Sequence, residues 1–351
     1  VLLTGIAEAR YKQGRLLGRM HALGLDAQLE AELTAAREDA VKTSAIEGEV
    51  LNPASVRSSI ARRLGMDLGG VAPTDQRVEG VVDVVLDATR NFTRLLTPER
   101  IFGWHAALFP TGYSGLHKID VGRWRSDRDG PMQVVSAHAV RPRVHFEAPP
   151  AGHLNREMSR FLAWFNGAAG MDPLLRAGLA HLWFVTIHPL DDGNGRIARA
   201  ITDLAVARME RTGQRFYSLS SQIEREKRGY YEVLEATQKG TLDVTAWLMW
   251  FVGCYAQAID TAEATAARVT AKASFWTVHA GRTFSDRQRK VLGRLLDDFE
   301  GAITARKWAS LCSCSPDTAQ RDIGELVQQG LLVKNPGGSK RTSYRFNWPP
   351  E

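Results

Sequence analysis

The stretch Thr186-Ile187-His188-Pro189-Leu190-Asp191-Asp192-Gly193-Asn194-Gly195-Arg196-Ile197-Ala198-Arg199 joins two helical segments and fixes the architecture around it. Asp172 and Pro173 read as the cap and first-turn proline of the preceding helix. That helix must stop near Ile187, because the residue before Pro189 is pushed out of α geometry. The next helix is expected from about Gly195 to Arg211. Between them, Gly193, Asn194 and Gly195 are residue types that accept a positive φ or let a ligand approach the backbone.

Such a turn is an anion cradle. Successive amide N–H groups, with the start of a helix behind them, favour phosphate. Arg196 and Arg199, one turn apart, add charge and bidentate donors suited to phosphate oxygens. Asp192 sets a carboxylate beside the cradle, as a magnesium-bridged polyphosphate requires. His188, at the entrance, is of a type that titrates near neutrality, which suits taking a proton from a hydroxyl. Each feature alone has an ordinary reading: a helix-ending histidine, a tight turn, a solvated pair of arginines. Their co-occurrence within twelve residues points to phosphoryl or nucleotidyl transfer.

The run "HPLDDGNGRIAR" resembles the signature of the Fic family, His-Pro-Phe-x-(Asp/Glu)-Gly-Asn-(Gly/Lys)-Arg-x-x-Arg, with Leu190 in place of the usual Phe. The resemblance extends from about residue 25 to 260. It implies a mainly α fold, a Fic-type helical bundle with a small β-hairpin flap. It also implies that His188 activates a Ser, Thr or Tyr hydroxyl of a target protein. The hydroxyl would attack the α-phosphorus of ATP and pyrophosphate would leave. Asp192 would hold Mg²⁺ between the α- and β-phosphates, and Gly193 to Gly195 would bind phosphate through backbone amides. Asn194 would orient the loop and the α-phosphate, while Arg196 and Arg199 would hold the outer phosphates. Members that transfer a γ-phosphate carry Lys at the position of Gly195, so the glycine implies AMP transfer. Leu190 stands where the family anchors its loop in the core, and a large aliphatic side chain serves that end.

Thr43-Ser44-Ala45-Ile46-Glu47-Gly48 is similar to the family's inhibitory motif, (Ser/Thr)-x-x-x-Glu-(Gly/Asn). By that resemblance Glu47 would pair with Arg199, while Thr43, one helical turn earlier, can pin the helix end. The same site could run the opposite task, hydrolysing AMP from a modified protein with Glu47 positioning water. Downstream, "EREKRGYYEVLEATQKG" resembles the family's nucleotide-binding helix, with Tyr230, Tyr231 and Gln238 near the adenosine; an adjacent Tyr pair is as often half core and half surface. Upstream, "GRWRSDRDGPMQVV", within 121–136, sits where the family places its flap. A strand edge there could grip an extended target segment. Residues 40–130, with "IEGEVLNPASVRSSIARRLG" and "GWHAALFPTGYSGLHKIDVGRWR", resemble an uncharacterised domain that accompanies some Fic proteins.

Outward from the site, three regions are expected: an N-terminal helical region over 1–96, the catalytic core over 97–270, and a C-terminal piece over 281–351. In the first, Leu25, Leu29, Leu33 and Ala36 share a helix face, and Asn52–Pro53 opens a helix that Gly65 closes. Further helices are expected over 77–92, 97–108, 154–166, 224–238 and 243–268. Between them "MQVVS" reads as one arm of a hairpin after an Asp129–Gly130 turn. The last region reads helix, helix–turn–helix, then strands "LLVKN" and "TSYRF", the order of a winged helix. Thr318, Gln320 and Arg321, early in its third helix, and Lys340 and Arg341 on the wing fall where DNA contacts would be. Asp317, Asp322 and Glu325 interrupt that basic face. A DNA-binding regulator with a Fic-like sensor core is therefore a third reading.

A hydrophobic share of 44% and nine Trp supply real cores and argue against a disordered chain. No apolar run approaches the ~20 residues of a membrane helix. Cys254, Cys312 and Cys314 are odd in number, lack ligand spacing and suit a reducing compartment. Residues 1–24 lack the apolar stretch of a secretory leader and carry Arg10, Lys12, Arg15 and Arg19, so a cytoplasmic location is expected. The net charge of +6 owes a disproportionate share to 281–351, with twelve Lys and Arg against eight Asp and Glu. The target protein is not readable from these residues, with which self-modification and a homodimer are both compatible.

Overall fold

The computed structural model describes residues 2–66, 75–128, 130–135, 143–168, 170–297, 302–336 and 342–347. The chain divides into two compact units, Val1–Ala262 and Glu263–Glu351. The N-terminal helices belong to the first unit and do not form a body of their own. Among the described residues no helix is long and apolar enough to cross a membrane.

The first unit opens with α1 (Leu2–His21), α2 (Leu25–Ile46), α3 (Pro53–Arg63), α4 (Gln76–Arg90) and α5 (Pro98–Leu108). Their starts follow the capping logic of the sequence. Asn52 accepts the amides of Ala54 and Ser55 at 2.9 and 3.2 Å, and Thr97 accepts that of Arg100 at 3.3 Å. Two hairpins follow, β1 (Tyr113–Ser114) with β2 (His117–Lys118), and β3 (Gln133–Val135) with β4 (Val144–Glu147). In the second, Gln133 to Val135 of the expected "MQVVS" arm form the strand, with a bulge between Val134 and Val135, and Ser136 lies outside the described residues. Asp129 of its expected turn lies outside the described residues. The first hairpin was not expected: two-residue strands are too short to show alternation.

Helices α6 (Leu154–Asn166), α7 (Pro173–Ile187) and α8 (Asn194–Glu210) form the centre. Along α8, Ile197, Ala198, Ile201, Leu204 and Val206 are fully buried, and Arg196, Arg199, Thr202 and Asp203 are nearly so. A helix buried on all faces is a core helix. It packs on α7 on one side and on α4 and α5 on another. The chain continues through α9 (Leu219–Arg225), α10 (Lys227–Lys239) and α11 (Thr245–Val278). The single helix expected over 224–238 breaks at Glu226, whose carboxylate accepts the Trp250 indole N–H at 3.1 Å. α11 outruns its expected end at residue 268, for after that position the sequence has no Gly or Pro before Gly281. The apolar face proposed for α2 holds from Leu33 onward, while Leu25 is 67% exposed.

The second unit holds the end of α11, then α12 (Asp286–Asp297), α13 (Ala305–Cys312), α14 (Pro316–Gln328), β5 (Leu332–Lys334) and β6 (Tyr344–Phe346). β5 and β6 pair antiparallel, and Ile303 bridges to Tyr344. Phe275, Leu292, Trp308, Ile323, Leu326 and Leu332 form its core. The element order is the one read from the sequence. One proposed contact residue is otherwise engaged: Gln320 donates its side-chain amide to the Tyr344 hydroxyl at 3.0 Å. Lys340 and Arg341 lie outside the described residues.

Candidate active site

The loop between α7 and α8 is built by a few local rules. α7 starts on Asp172, whose carboxylate accepts the Leu174 amide at 2.7 Å, and ends at Ile187. His188 then takes a left-handed conformation, φ 50° and ψ 58°, uncommon for a residue with a side chain. Its carbonyl is held by Arg125 Nε at 2.8 Å, and the Arg125 amide donates to the Pro189 carbonyl at 2.9 Å. The Arg125 guanidinium, with no side-chain exposure, also pairs with Asp127 at 2.8 Å and donates to the Pro149 carbonyl at 2.5 Å. One buried arginine thus holds the segment before the β3–β4 hairpin on the loop between α7 and α8.

The loop's other end is tied by Asn194 and Leu190. The Leu190 amide donates to Asn194 Oδ1 at 3.0 Å, and Asn194 Nδ2 donates to the Leu190 carbonyl at 2.7 Å. Asn194 therefore braces the loop from within, 2% exposed, which is the loop-orienting part of the role the resemblance implied. Leu190 is fully buried, which at about 2 kcal/mol for such a side chain makes it an adequate anchor. α8 begins at Asn194, one residue earlier than expected, after Gly193 with φ 78°.

His188 Nδ1 lies 3.2 Å from the Val185 carbonyl. A carbonyl can only accept, so Nδ1 carries the proton and Nε2 is the basic nitrogen. Burial lowers the His188 pKa, and nearby Arg125 adds to this against the opposing pull of Glu47 and Asp192. Asp192 accepts a hydrogen bond from the Ser114 hydroxyl on β1, and its other oxygen accepts the Gly193 amide at 2.5 Å. Its neighbour Asp191 accepts the Asp120 amide at 2.7 Å. His105, fully buried on α5 near Asp192, is pushed down to about 4 by burial.

Arg196 and Arg199 of α8 are buried, and each meets a carboxylate from the end of α2. Arg199 Nη2 lies 2.7 Å from Glu47 Oε1, and Arg196 Nη1 lies 2.9 Å from Glu49 Oε2. Burial works against the charge on Arg199, but Glu47 together with Tyr230 and Tyr231 outweighs it and its pKa rises. Thr43 does not pin the helix end, as proposed. It holds the arginine: its hydroxyl accepts Arg199 Nε at 2.7 Å and its carbonyl accepts Nη2 at 2.9 Å. A Cβ at Gly195 would run into the Glu47 carboxylate, which therefore sits where the start of α8 is open to an anion.

The end of α2 is a Schellman turn. Gly48 has φ 84°, its amide donates to the Ala45 carbonyl at 3.0 Å, and the Glu49 amide donates to the Ser44 carbonyl at 3.0 Å. Lys227 Nζ on α10 caps the Ile46 carbonyl at 2.6 Å. Also on α10, the tyrosine pair divides. Tyr230 is 2% exposed, its hydroxyl shares a hydrogen bond with His181 Nε2 at 2.9 Å, and its ring packs on Trp247 and Trp250. It belongs to the core, whereas Tyr231 is 39% exposed and close enough to Glu47 and Arg199 to feel their charges. Gln238 donates to the Thr186 hydroxyl at 3.2 Å, beside the end of α7.

The arrangement brings together a basic imidazole nitrogen, one carboxylate, a glycine-lined helix start and two buried guanidinium groups. The profile of the Fic/DOC family matches residues 95–206, the span holding all four. This chain carries a Fic/DOC domain. A domain of unknown function, DUF4172, matches residues 1–66. That corrects the expected span of 40–130, whose second quoted segment falls within the Fic/DOC match.

Relatives of the Fic domain include protein adenylyltransferase fic-1 of Caenorhabditis briggsae, 39% identical over 170 residues, covering 47% of this chain and 31% of that one. Protein adenylyltransferase Fic of Culex quinquefasciatus is 30% identical over 114 residues, covering 32% and 21%. The chain thus spans a third or less of these curated relatives. A Fic family protein from Desulfovibrio desulfuricans G20 superposes with a TM-score of 0.55 at 18% identity, covering 99% of this chain and 97% of that chain. Fic-1 from C. elegans superposes at 0.51 with 21% identity, covering 75% and 72%. At such identities the likeness is one of fold.

Four contacts around the α7–α8 loop and its arginines escaped the sequence reading: those of Arg125, Ser114, Glu49 and Lys227. Arg125 stands in a run of charges, Arg123 to Arg128, that reads as solvated. For Glu49 a signal existed, since a glycine-ended helix directs the residue after the glycine back across the helix end.

Proposed function

We propose that this chain transfers AMP from ATP onto a Ser, Thr or Tyr hydroxyl of a protein, and that Glu47 restrains it. The observation that carries the reading is the Glu47 carboxylate seated at the open start of α8 on Arg199, a site fitted to an anion, beside an imidazole with a free basic nitrogen. The adenylyltransferase names of the relatives support the choice of nucleotide.

With Glu47 displaced, Arg196 and Arg199 would face the outer phosphates. Two of their buried nitrogens, Arg196 Nε and Arg199 Nη1, have no hydrogen-bond partner among the described residues, which suits a site completed by a ligand. His188 Nε2 would take the proton as the hydroxyl oxygen bonds to the α-phosphorus. The bond to the departing pyrophosphate breaks in the same displacement. The Val185 carbonyl keeps the imidazole in the tautomer that can do this, and supports the imidazolium that results. The main-chain amides at Gly193 to Gly195 would face the charge that builds on the phosphate.

Among the described residues no cluster of three or more His, Cys, Asp or Glu could hold a metal alone. Asp192 offers one carboxylate, held by Ser114 and the Gly193 amide. One carboxylate with phosphate oxygens is how Mg²⁺ is commonly bound in nucleotide sites, so the residues fit. Bound there, Mg²⁺ would neutralise phosphate charge; Asp192 and Ser114 would hold it.

The test is incubation with ATP labelled at the α-phosphate. The parent should label itself or a lysate protein weakly, Glu47→Gly strongly, and His188→Ala in the Glu47→Gly background not at all. Removal of label from an AMP-modified protein by the parent, with no labelling by Glu47→Gly, would instead establish the hydrolytic direction. In the second unit, Thr318 and Arg321 lie early on α14, the helix–turn–helix position that would read DNA. Binding to duplex DNA that weakens with salt and with Arg321→Ala would add a nucleic-acid partner.

A further inference from the structure

We propose that Glu49 is a second restraint on the nucleotide site, holding Arg196 while Glu47 holds Arg199. The inference rests on the reading of Glu47 as a restraint. Arg196 is 4% exposed, and its guanidinium carbon lies 4.7 Å from the centre of the Phe109 ring. One face of the guanidinium is thus occupied by an aromatic ring. Nη1 is engaged by Glu49 at 2.9 Å, and Nε is buried without a partner among the described residues. The side chain has no freedom to swing toward a phosphate while Glu49 stays.

Both carboxylates come from one piece of backbone. Glu47 is the last residue before Gly48, and Glu49 the first after it, its amide fastened to the Ser44 carbonyl at 3.0 Å. The left-handed glycine between them turns the chain so that two residues of α2's end face two arginines three apart on α8. With both seated, each phosphate-facing cation has an anion, and the site offers a triphosphate no uncompensated charge. Removing Glu47 alone frees Arg199 and leaves the incoming phosphates in competition with Glu49 for Arg196.

An exposed ion pair would contribute almost nothing. Here the Glu49 side chain is 40% exposed, but that of Arg196 is only 3% exposed, so solvent reaches one partner and not the other. An intermediate effect follows, larger than a surface pair and smaller than a fully buried one.

The experiment uses the full chain and titrates Mg-ATP by calorimetry into four proteins: the parent, Glu49→Gln, Glu47→Gly, and the double variant. The parent and Glu49→Gln should both bind weakly, because Glu47 still covers Arg199. Glu47→Gly should bind, and the double variant should bind about tenfold tighter, which is ~1.4 kcal/mol. Glu47→Gly with Glu49→Asp, which keeps the charge on a shorter arm, should fall between them. If the double variant binds no tighter than Glu47→Gly, Glu49 is a bystander; if it binds more weakly, Glu49 positions Arg196 for nucleotide. Either result overturns the proposal and leaves the Glu47 reading standing. If Glu47→Gly itself gains no affinity over the parent, the restraint reading fails and takes this proposal with it.

Discussion

At the scale of single residues, the proposed chemistry depends on an imidazole held in a backbone conformation it would not choose. His188 keeps φ 50° because Arg125 grips its carbonyl from a fully buried position. Two consequences can be measured in the Glu47→Gly background. Burial lowers the His188 pKa, so the neutral base persists below the ordinary histidine value of about 6.5. The acid limb of the labelling rate should therefore have its midpoint below that value. Arg125 contributes to the lowering, so Arg125→Gln should move the midpoint upward and reduce the rate at least ~tenfold. A purely structural arginine would lower the amount of folded protein without moving the midpoint.

At the scale of elements, the end of α2 and the start of α8 form one device. Gly48→Ala would force a side chain into the left-handed region at a cost of about 1–2 kcal/mol, loosening the turn. Labelling should rise while the melting temperature falls by a few degrees. Gly195→Ala should behave differently. Its Cβ would occupy the space of the Glu47 carboxylate, which is also the proposed space of a phosphate. It should dislodge the restraint and yet show no labelling, alone or with Glu47→Gly.

These elements were largely legible. Asp172–Pro173, Asn52–Pro53 and Thr97–Pro98 announced helix starts through side chains that cap amides, a local effect that sequence carries well. The loop between α7 and α8 was legible because its glycines, proline and charges are contiguous. What stayed hidden is contact at a distance. Thr43 reaching Arg199, Ser114 reaching Asp192 and Tyr230 turning to His181 each join residues 49 to 156 positions apart. Helical spacing says which face a tyrosine occupies, and it was packing against Trp247 that decided Tyr230 faced inward.

At the scale of the whole molecule, the first unit carries buried acids behind its site. Asp39 on α2 accepts the Ser218 hydroxyl at 2.6 Å and the Ser220 amide at 3.1 Å, while Asp203 on α8 pairs with Arg215 at 2.7 Å. Burial and the proximity of Asp39 raise Asp203 to about 7, and burial raises Asp39 as well. A carboxyl raised on folding contributes stability that is complete below its unfolded value of about 3.9 and is lost as pH rises through its folded value. Unfolding of the full chain, followed from pH 5 to 8, should show the first unit losing stability toward neutrality. Asp203→Asn should flatten that slope.

The glycine at position 48 has a consequence for how release would look in time. Two obstructing groups that hang from a single hinge leave together, so the free and blocked forms should interconvert as two populations with nothing in between. A partner that tugs on this hinge would change how often the gate stands open, never how far, and the Gly48 amide resonance should report it as two peaks trading intensity.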